Sequence, residues 1–356
     1  MTEQIPHGLL VTSPAVSTST VPIQFVHRAL QAAVRAGVDV NELLRGTGVA
    51  PDLVVHARSR VTVGQAARVA RRLWRLTDDE MFGAGPHPVP RGTFRMVALG
   101  VIHSPDLRTA LQRTCEFSAV LPGLPTISAS MGPERTVVCL DHTGLRDPEH
   151  LVVDLMVGVV QRFTAWLVGQ RIKPLALELP YPSPEDPADY DRVFGARPRF
   201  DAERAALTFD SALLAAPVIR TEAEMLDWVR NSPGDLLARR DYGSSLADQV
   251  RRIMEYPLVS AGAPVPARPV PWPAPEEVAA RLNLSLQHLR RRLRAEGTSM
   301  SVIREEILRD AAVAALASGR EPVTDLAIRL GFSEPSAFRR AFRRWTGTPP
   351  GSYRPR

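Results

Sequence analysis

The chain has 356 residues, 44% hydrophobic and 23% charged, the profile of a globular protein with room for two cores. Its strongest mid-chain apolar stretch, Leu151–Val160, carries Asp154 and falls short of the roughly 20 apolar residues a bilayer span needs, so no membrane partner is expected. The net charge of +6 is unevenly placed: residues 246–356 hold 18 Arg against 11 Asp and Glu, a balance of +7, while residues 1–245 balance to −1. The excess positive charge therefore gathers where a polyanion would meet it.

Residues 1–21 lack a basic start and are rich in Ser, Thr and Pro toward their end, so a disordered leader is expected in place of a signal peptide. From Ile23 to Ala36 apolar residues recur at helical spacing, and Gly37 ends the pattern. Val61–Leu76 reads as a second helix, with Thr93–His103 and Pro105–Leu121 as two more. The period then changes to that of strands over Thr126–Met131 and Arg135–Leu140, with Gly132-Pro133 between them, which predicts a hairpin. A helix over Pro148–Val168 follows, then strands at Leu175–Leu179 and Ala206–Phe209. The mixture predicts an α+β domain over residues 22–240.

The helix around Glu149–Leu167 is apolar over an unusually wide arc. It is either sandwiched in the core or part of a subunit contact, and its sequence leaves both open. Between Pro257 and Pro275 lie seven prolines in nineteen residues, which reads as an extended loop.

The most specific pattern lies beyond that loop. Glu276–Leu282 is a short helix, Asn283-Leu284 a break, and Ser285 an N-cap for a second helix whose apolar Leu289 and Leu293 face the first. Gln287, Arg290, Arg291 and Arg294 form an exposed stripe at spacing i, i+3, i+4, i+7. The arrangement recurs about 49 residues later, with Val323–Leu330, the turn Gly331-Phe332, and Ser333–Trp345. There Phe338 and Phe342 are the buried pair, and Ser336, Arg339, Arg340 and Arg343 repeat the stripe.

One Arg-rich helix is ordinarily a solvated face; two copies, each behind a short helix and a tight turn, point to DNA. An α-helix fits the major groove, and Arg pairs bidentately with guanine. Between the units Ser301–Ser318 forms a rod of roughly 27 Å, suited to holding two recognition helices near one DNA turn apart.

The second unit and its tail, Asp325–Arg354, resemble the AraC/XylS family of bacterial transcription regulators. The resemblance rests on Gly331-Phe332-Ser333, Phe338, Phe342, Gly347, Pro349-Pro350 and Tyr353-Arg354. Ser285–Ser299 is similar to the family's first recognition helix. FRRAFRRWTG, together with Ala29–Val49, Ser104–Arg113 and Tyr190–Val218, resembles the subgroup with an arabinose-binding-like N-terminal domain.

The resemblance implies an α+β effector-binding and dimerisation domain over 22–240, followed by an all-α DNA-binding domain over 246–356 with two helix-turn-helix units joined by a linker helix. It implies as partners promoter or operator DNA, RNA polymerase, a second copy of the chain and a small-molecule effector. Ile307 stands where many relatives carry Arg, and Pro335 and Ala337 where many carry polar readers.

No enzyme is expected. The chain contains no G-x-S-x-G, no H-E-x-x-H and no phosphate-cradling glycine loop. Cys115 and Cys139 make neither a disulfide framework nor a zinc site, so neither cofactor nor metal is expected, and a reducing cytoplasm is the expected compartment. His103 reads as a capping or packing residue and Cys115 as core. The N-terminal domain offers no charge cluster for a sugar, phosphate or metal, and its Val, Leu, Ala and Phe content favours an apolar or amphipathic pocket.

Overall fold

The computed structural model describes residues 20–184, 187, 190, 193–234, 246–259 and 272–354. The leader expected over 1–21 lies outside them except for its end, and so does the linker between the two expected domains. That end is ordered: β1 (Thr20–Pro22) pairs antiparallel with β2 (Arg60–Thr62), Val21 opposite Val61. Strands of three residues joined across 40 positions leave no alternation to read.

α1 (Gln24–Arg35) buries Val26, Ala29, Leu30 and Ala33 at helical spacing, and the short helices α2 (Val40–Leu44) and α3 (Pro51–Val54) follow. The helix expected from Val61 begins at Val63, because Thr62 closes a capping box with Gln65; this α4 runs to Thr77. α5 (Thr93–Ile102) and α6 (Leu107–Val120) match expectation to within two residues, Asp106 capping the second through the Thr109 amide at 2.8 Å.

The hairpin is present as β3 (Ile127–Met131) and β4 (Arg135–Leu140). With β5 (Ala176–Glu178) and β6 (Ala205–Asp210) it forms an antiparallel sheet in the order β3-β4-β6-β5. Its inner residues Val138, Leu140, Leu177, Leu207 and Phe209 form one core with α5, α6 and the far half of α7 (Leu151–Val168).

α7 starts at Leu151 and not at the expected Pro148, because His150 sits in the left-handed region and Asp147 accepts the Val152 and Val153 amides at 2.8 and 3.0 Å. It is long and apolar enough to cross a membrane by composition, yet 72% of it is buried inside the protein. Val152, 1% exposed, is core, so the choice between core and subunit contact is decided for that face. α8 (Glu222–Asn231), capped by a Thr221–Glu224 box, adds Met225 and Trp228 to the same core and escaped the sequence reading.

The C-terminal part is all helical. α9 (Leu246–Val259) runs past Pro257, so the proline run does not open as loop at its first member, and Pro275 starts the next helix at its first position. Residues 260–271 lie outside the described residues. α10 (Pro275–Arg281) and α11 (Leu286–Ala295) are the first unit, α13 (Val323–Arg329) and α14 (Pro335–Thr346) the second, and α12 (Met300–Ser318) the linker.

α12 divides its apolar residues between two cores. Ile303 and Ile307 join Leu289, Leu293 and α9 in one; Leu308, Ala312 and Leu316 join Phe338 and Phe342 in the other. Ile307, 3% exposed, is apolar because it is enclosed. The second of these cores, which includes Tyr353, continues into the N-terminal part through Val21, Leu53 and Val61, so the second unit and the N-terminal part share apolar packing.

Candidate DNA interface and effector cavity

Each recognition helix is set by the same local chemistry. The short helix before it ends at a residue in the left-handed region, Asn283 (φ 54°) in the first unit and Gly331 (φ 84°) in the second. Asn and Gly are the residues that enter this region most cheaply. Ser285 then accepts the His288 amide at 3.2 Å, whereas α14 begins with Pro335 at its first position and no side-chain cap. Leu289, Leu293, Phe338 and Phe342, all at most 1% exposed, pin the inner face of each helix.

Gln287, Arg290, Arg291 and Arg294 on α11, and Ser336, Arg339, Arg340 and Arg343 on α14, are all exposed, as the spacing requires. None of these six guanidinium groups has an ion-pair partner among the described residues, so their charge is free for a polyanion. Ser336 donates to Glu334 at 2.9 Å. The neighbouring Arg344 is instead tied at 2.9 Å to Glu305 on α12, which also accepts the Trp345 indole N–H at 2.6 Å. That clamp holds α14 against the linker.

Residues 37–218 match the arabinose-binding N-terminal domain of AraC transcription regulators, and residues 278–356 match a helix-turn-helix domain. The chain belongs to the AraC family of transcription regulators. Among AraC-type relatives, the ornithine utilization regulator of Pseudomonas aeruginosa is 23% identical over 94% of this chain and 96% of its own length. An uncharacterized HTH-type regulator of Mycobacterium tuberculosis is 38% identical over 23% of this chain and 24% of its own, in a match of 82 residues. The crystal structure of the regulator CdpR from Pseudomonas aeruginosa covers 92% of this chain and 97% of its own at 19% identity, with a TM-score of 0.30, too loose a superposition to argue from.

The N-terminal domain of this AraC-type chain holds a buried polar cluster that the sequence reading missed. Asp154 on α7 accepts from Arg28 on α1 at 2.5 Å, from Tyr190 at 2.7 Å and from Tyr181; Arg28 also donates to Tyr190 at 2.8 Å. Burial pushes the Asp154 carboxyl up, and Arg28 and the two phenols pull it back. Burial works against the Arg28 cation too, but Asp154 and then Tyr190 outweigh it and raise its pKa. Burial and the Asp154 charge push Tyr190 up to about 12 and Tyr181 higher still, so both keep their protons and donate. The partners come from positions far apart in the chain; the one sequence signal was a single Asp within the apolar run 151–160.

Asp154 also sits at the edge of a small apolar space, about 80 Å³, between α1, α4 and α7. A larger cavity of about 150 Å³ lies across α7, walled by Trp74, Phe94, Val97, Leu111, Val160 and Phe163, among others. The residues of α7 left open by core packing, Leu155, Met156, Val159 and Val160, line it.

His103 closes α5 and lies 3.5 Å from Glu222 at the surface. Cys115 is half-buried against the sheet core, and burial pushes its thiol up. Among the described residues no group of three His, Cys, Asp or Glu is placed to hold a metal.

Proposed function

We propose that this AraC-type regulator places α11 and α14 in successive major-groove segments, with DNA affinity answering to a small molecule held by the N-terminal domain. The observation that carries the DNA half is the pair of exposed stripes, Gln287, Arg290, Arg291 and Arg294, then Ser336, Arg339, Arg340 and Arg343, whose six guanidinium groups have no ion-pair partner among the described residues. The linker of 19 residues spans about 28 Å, a length matched to neighbouring groove segments.

Arg291 and Arg340, central on their stripes, read base edges, and Arg294 and Arg343 hold phosphates. Binding of the purified chain to DNA selected from a random pool, measured at several salt concentrations, tests this. A slope no steeper than for the chain with all six arginines replaced would remove the interface.

The protein acts in the cytoplasm, beside RNA polymerase at promoter DNA, and as a homodimer paired through the effector domain 22–240, with 246–356 as the DNA-binding domain. Because Val152 is enclosed, the contact lies elsewhere; Met96 on α5 and Val120 on α6, 66% and 72% exposed, favour the outer face of that helix pair. Met96→Glu with Val120→Glu should give a folded monomer by sedimentation; an unchanged dimer would move the contact.

The ornithine relative's name concerns that protein. A diamino acid needs several free donors and acceptors, and the walls of the 150 Å³ cavity favour a different effector. A constitutive regulator without ligand is the alternative, and ligand-independent DNA affinity across a metabolite screen would favour it.

A further inference from the structure

We infer that the cavity across α7 is the effector site and that its ligand is a compact, uncharged apolar molecule of about one benzene ring. The inference rests on the effector-responsive reading above and adds the site and the chemistry. It starts from the polar atoms in the wall, each already engaged. The Thr114 hydroxyl donates to the Ala110 carbonyl at 2.9 Å, Ser118 to that of Cys115 at 2.8 Å, and Ser232 to that of Trp228 at 3.1 Å; Thr164 donates to Val160. Glu80, the single charged residue of the wall, spends one carboxylate oxygen on the Gly92 amide at 2.7 Å and the other on the Phe94 amide at 2.9 Å, at the start of α5.

A sugar or an amino acid entering here would lose its water and find no free donor among these side chains. An apolar guest loses nothing comparable. Apolar cavities of about 150 Å³ stay dry and accept a benzene-sized molecule. Trp74, Phe94 and Phe163 offer ring faces and edges to an aromatic guest, and Met81 and Met156 adapt their thioethers to its outline.

The position gives such a guest something to act on. Trp74, Met81 and Leu124 belong to the core that also holds Leu308, Ala312 and Leu316 of the linker helix, whereas Phe94, Leu111, Val160 and Phe163 belong to the sheet core. Leu155 and Met156 pack against both. The guest therefore fills the seam between the sheet and the body that carries the second helix-turn-helix unit. Filling that seam stabilises one spacing of the two, and DNA affinity follows to the extent that the spacings differ in it.

Toluene is the probe, with arabinose and ornithine as polar controls, on the full chain. Calorimetry and thermal melting should give saturable one-to-one toluene binding with a rise in Tm, and no response to either control. Val160→Phe or Val97→Phe, which fill the cavity from α7 and from α5, should weaken toluene at least tenfold and abolish the response of DNA affinity to toluene. Intermolecular NOEs from toluene to the methyls of Met81 and Met156 locate the guest in the unaltered protein, even where a filled variant fails to fold.

Absence of saturation, saturation by a polar control in its place, unchanged toluene affinity in both folded variants, or a saturated complex lacking those NOEs would each overturn the site. Toluene bound at the site with DNA affinity changed less than twofold would overturn its role as effector site. Failure of the ligand-free chain to bind any selected DNA would instead defeat the regulator reading, whatever toluene does.

Discussion

The backbone N–H of Arg60 donates to the Tyr353 hydroxyl at 3.0 Å, tying the second strand of the N-terminal domain to the last described helical turn. Beside it the Thr20 hydroxyl donates to Asp310 on the linker helix at 2.6 Å and accepts from the Arg60 guanidinium at 2.8 Å. Tyr353 is itself enclosed, its ring edge-on to Phe342 in the second unit. One phenol thus joins the recognition helix's core to a strand some 290 positions earlier. Tyr353→Phe keeps the ring and strands a partly buried amide, so the full chain should lose about 1–3 kcal/mol in urea denaturation. The DNA salt slope should not change. An unaltered midpoint would mean that the hydroxyl contributes nothing to holding the domains together.

Asp154→Asn makes a sharper demand. The substitution leaves the Arg28 cation inside the protein without its counter-charge and gives Tyr181 and Tyr190 a poorer acceptor. Removing one partner of a buried pair typically costs about 3–5 kcal/mol. Equilibrium denaturation of the variant should show a loss in that range. Arg28→Met combined with Asp154→Asn should recover part of it, since no isolated charge then remains. A double variant no better than the single one would mean that the hydrogen bonds, and not the charge, carry the cluster.

How far the sequence could be read follows from the range of each signal. The recognition helices were legible because Leu289, Leu293, Phe338, Phe342 and the arginines between them obey a local period that burial alone dictates. The β3–β4 hairpin and α7 were legible for the same reason. β1–β2 was not, because three-residue strands have no period. The Arg28–Asp154–Tyr181–Tyr190 cluster was not, because its members are brought together only by packing. The wide apolar arc of α7 was visible, but periodicity cannot separate a residue that meets its own core from one that lines a void. Val152 proved to be the first kind and Val160 the second.

Glu80 supplies a prediction in pH. Burial is the largest influence on its carboxyl and raises the pKa, more than the Gly92 and Phe94 amides lower it. The folded chain then holds this proton more tightly than the unfolded chain does. Its stabilising contribution is complete below the ordinary Glu value and is lost as pH rises through the folded one. The amide of Glu80→Gln does not titrate but can accept fewer hydrogen bonds than the carboxylate. Its Tm should therefore lie furthest below wild type near about pH 4, and the gap should narrow toward about pH 7. A gap that is constant or widens with pH would show that folding does not raise the pKa of this carboxyl.

The proposed division of the arginine stripes into base readers and phosphate holders is separable by measurement. Arg291 and Arg340 lie in the middle of their exposed faces, where a helix lying in the groove comes closest to base edges. Arg294 and Arg343 lie near the C-terminal ends of α11 and α14, where the helix leaves the groove and meets the backbone. Alanine at a base reader should cost about 1–3 kcal/mol on cognate DNA and relax preference at one base pair. Alanine at a phosphate holder should weaken cognate and scrambled DNA alike and flatten the slope of log affinity against log salt by about one. Pro335 and Ala337 leave the start of α14 with few polar atoms, so Arg340 should lose more discrimination than Ser336 when each is replaced. Titrations of both DNAs at several salt concentrations distinguish the classes. Equal losses on both DNAs for Arg291→Ala and Arg340→Ala would mean that these two only hold, and reading would pass to Gln287, Arg290 and Arg339 or to the shape of the duplex.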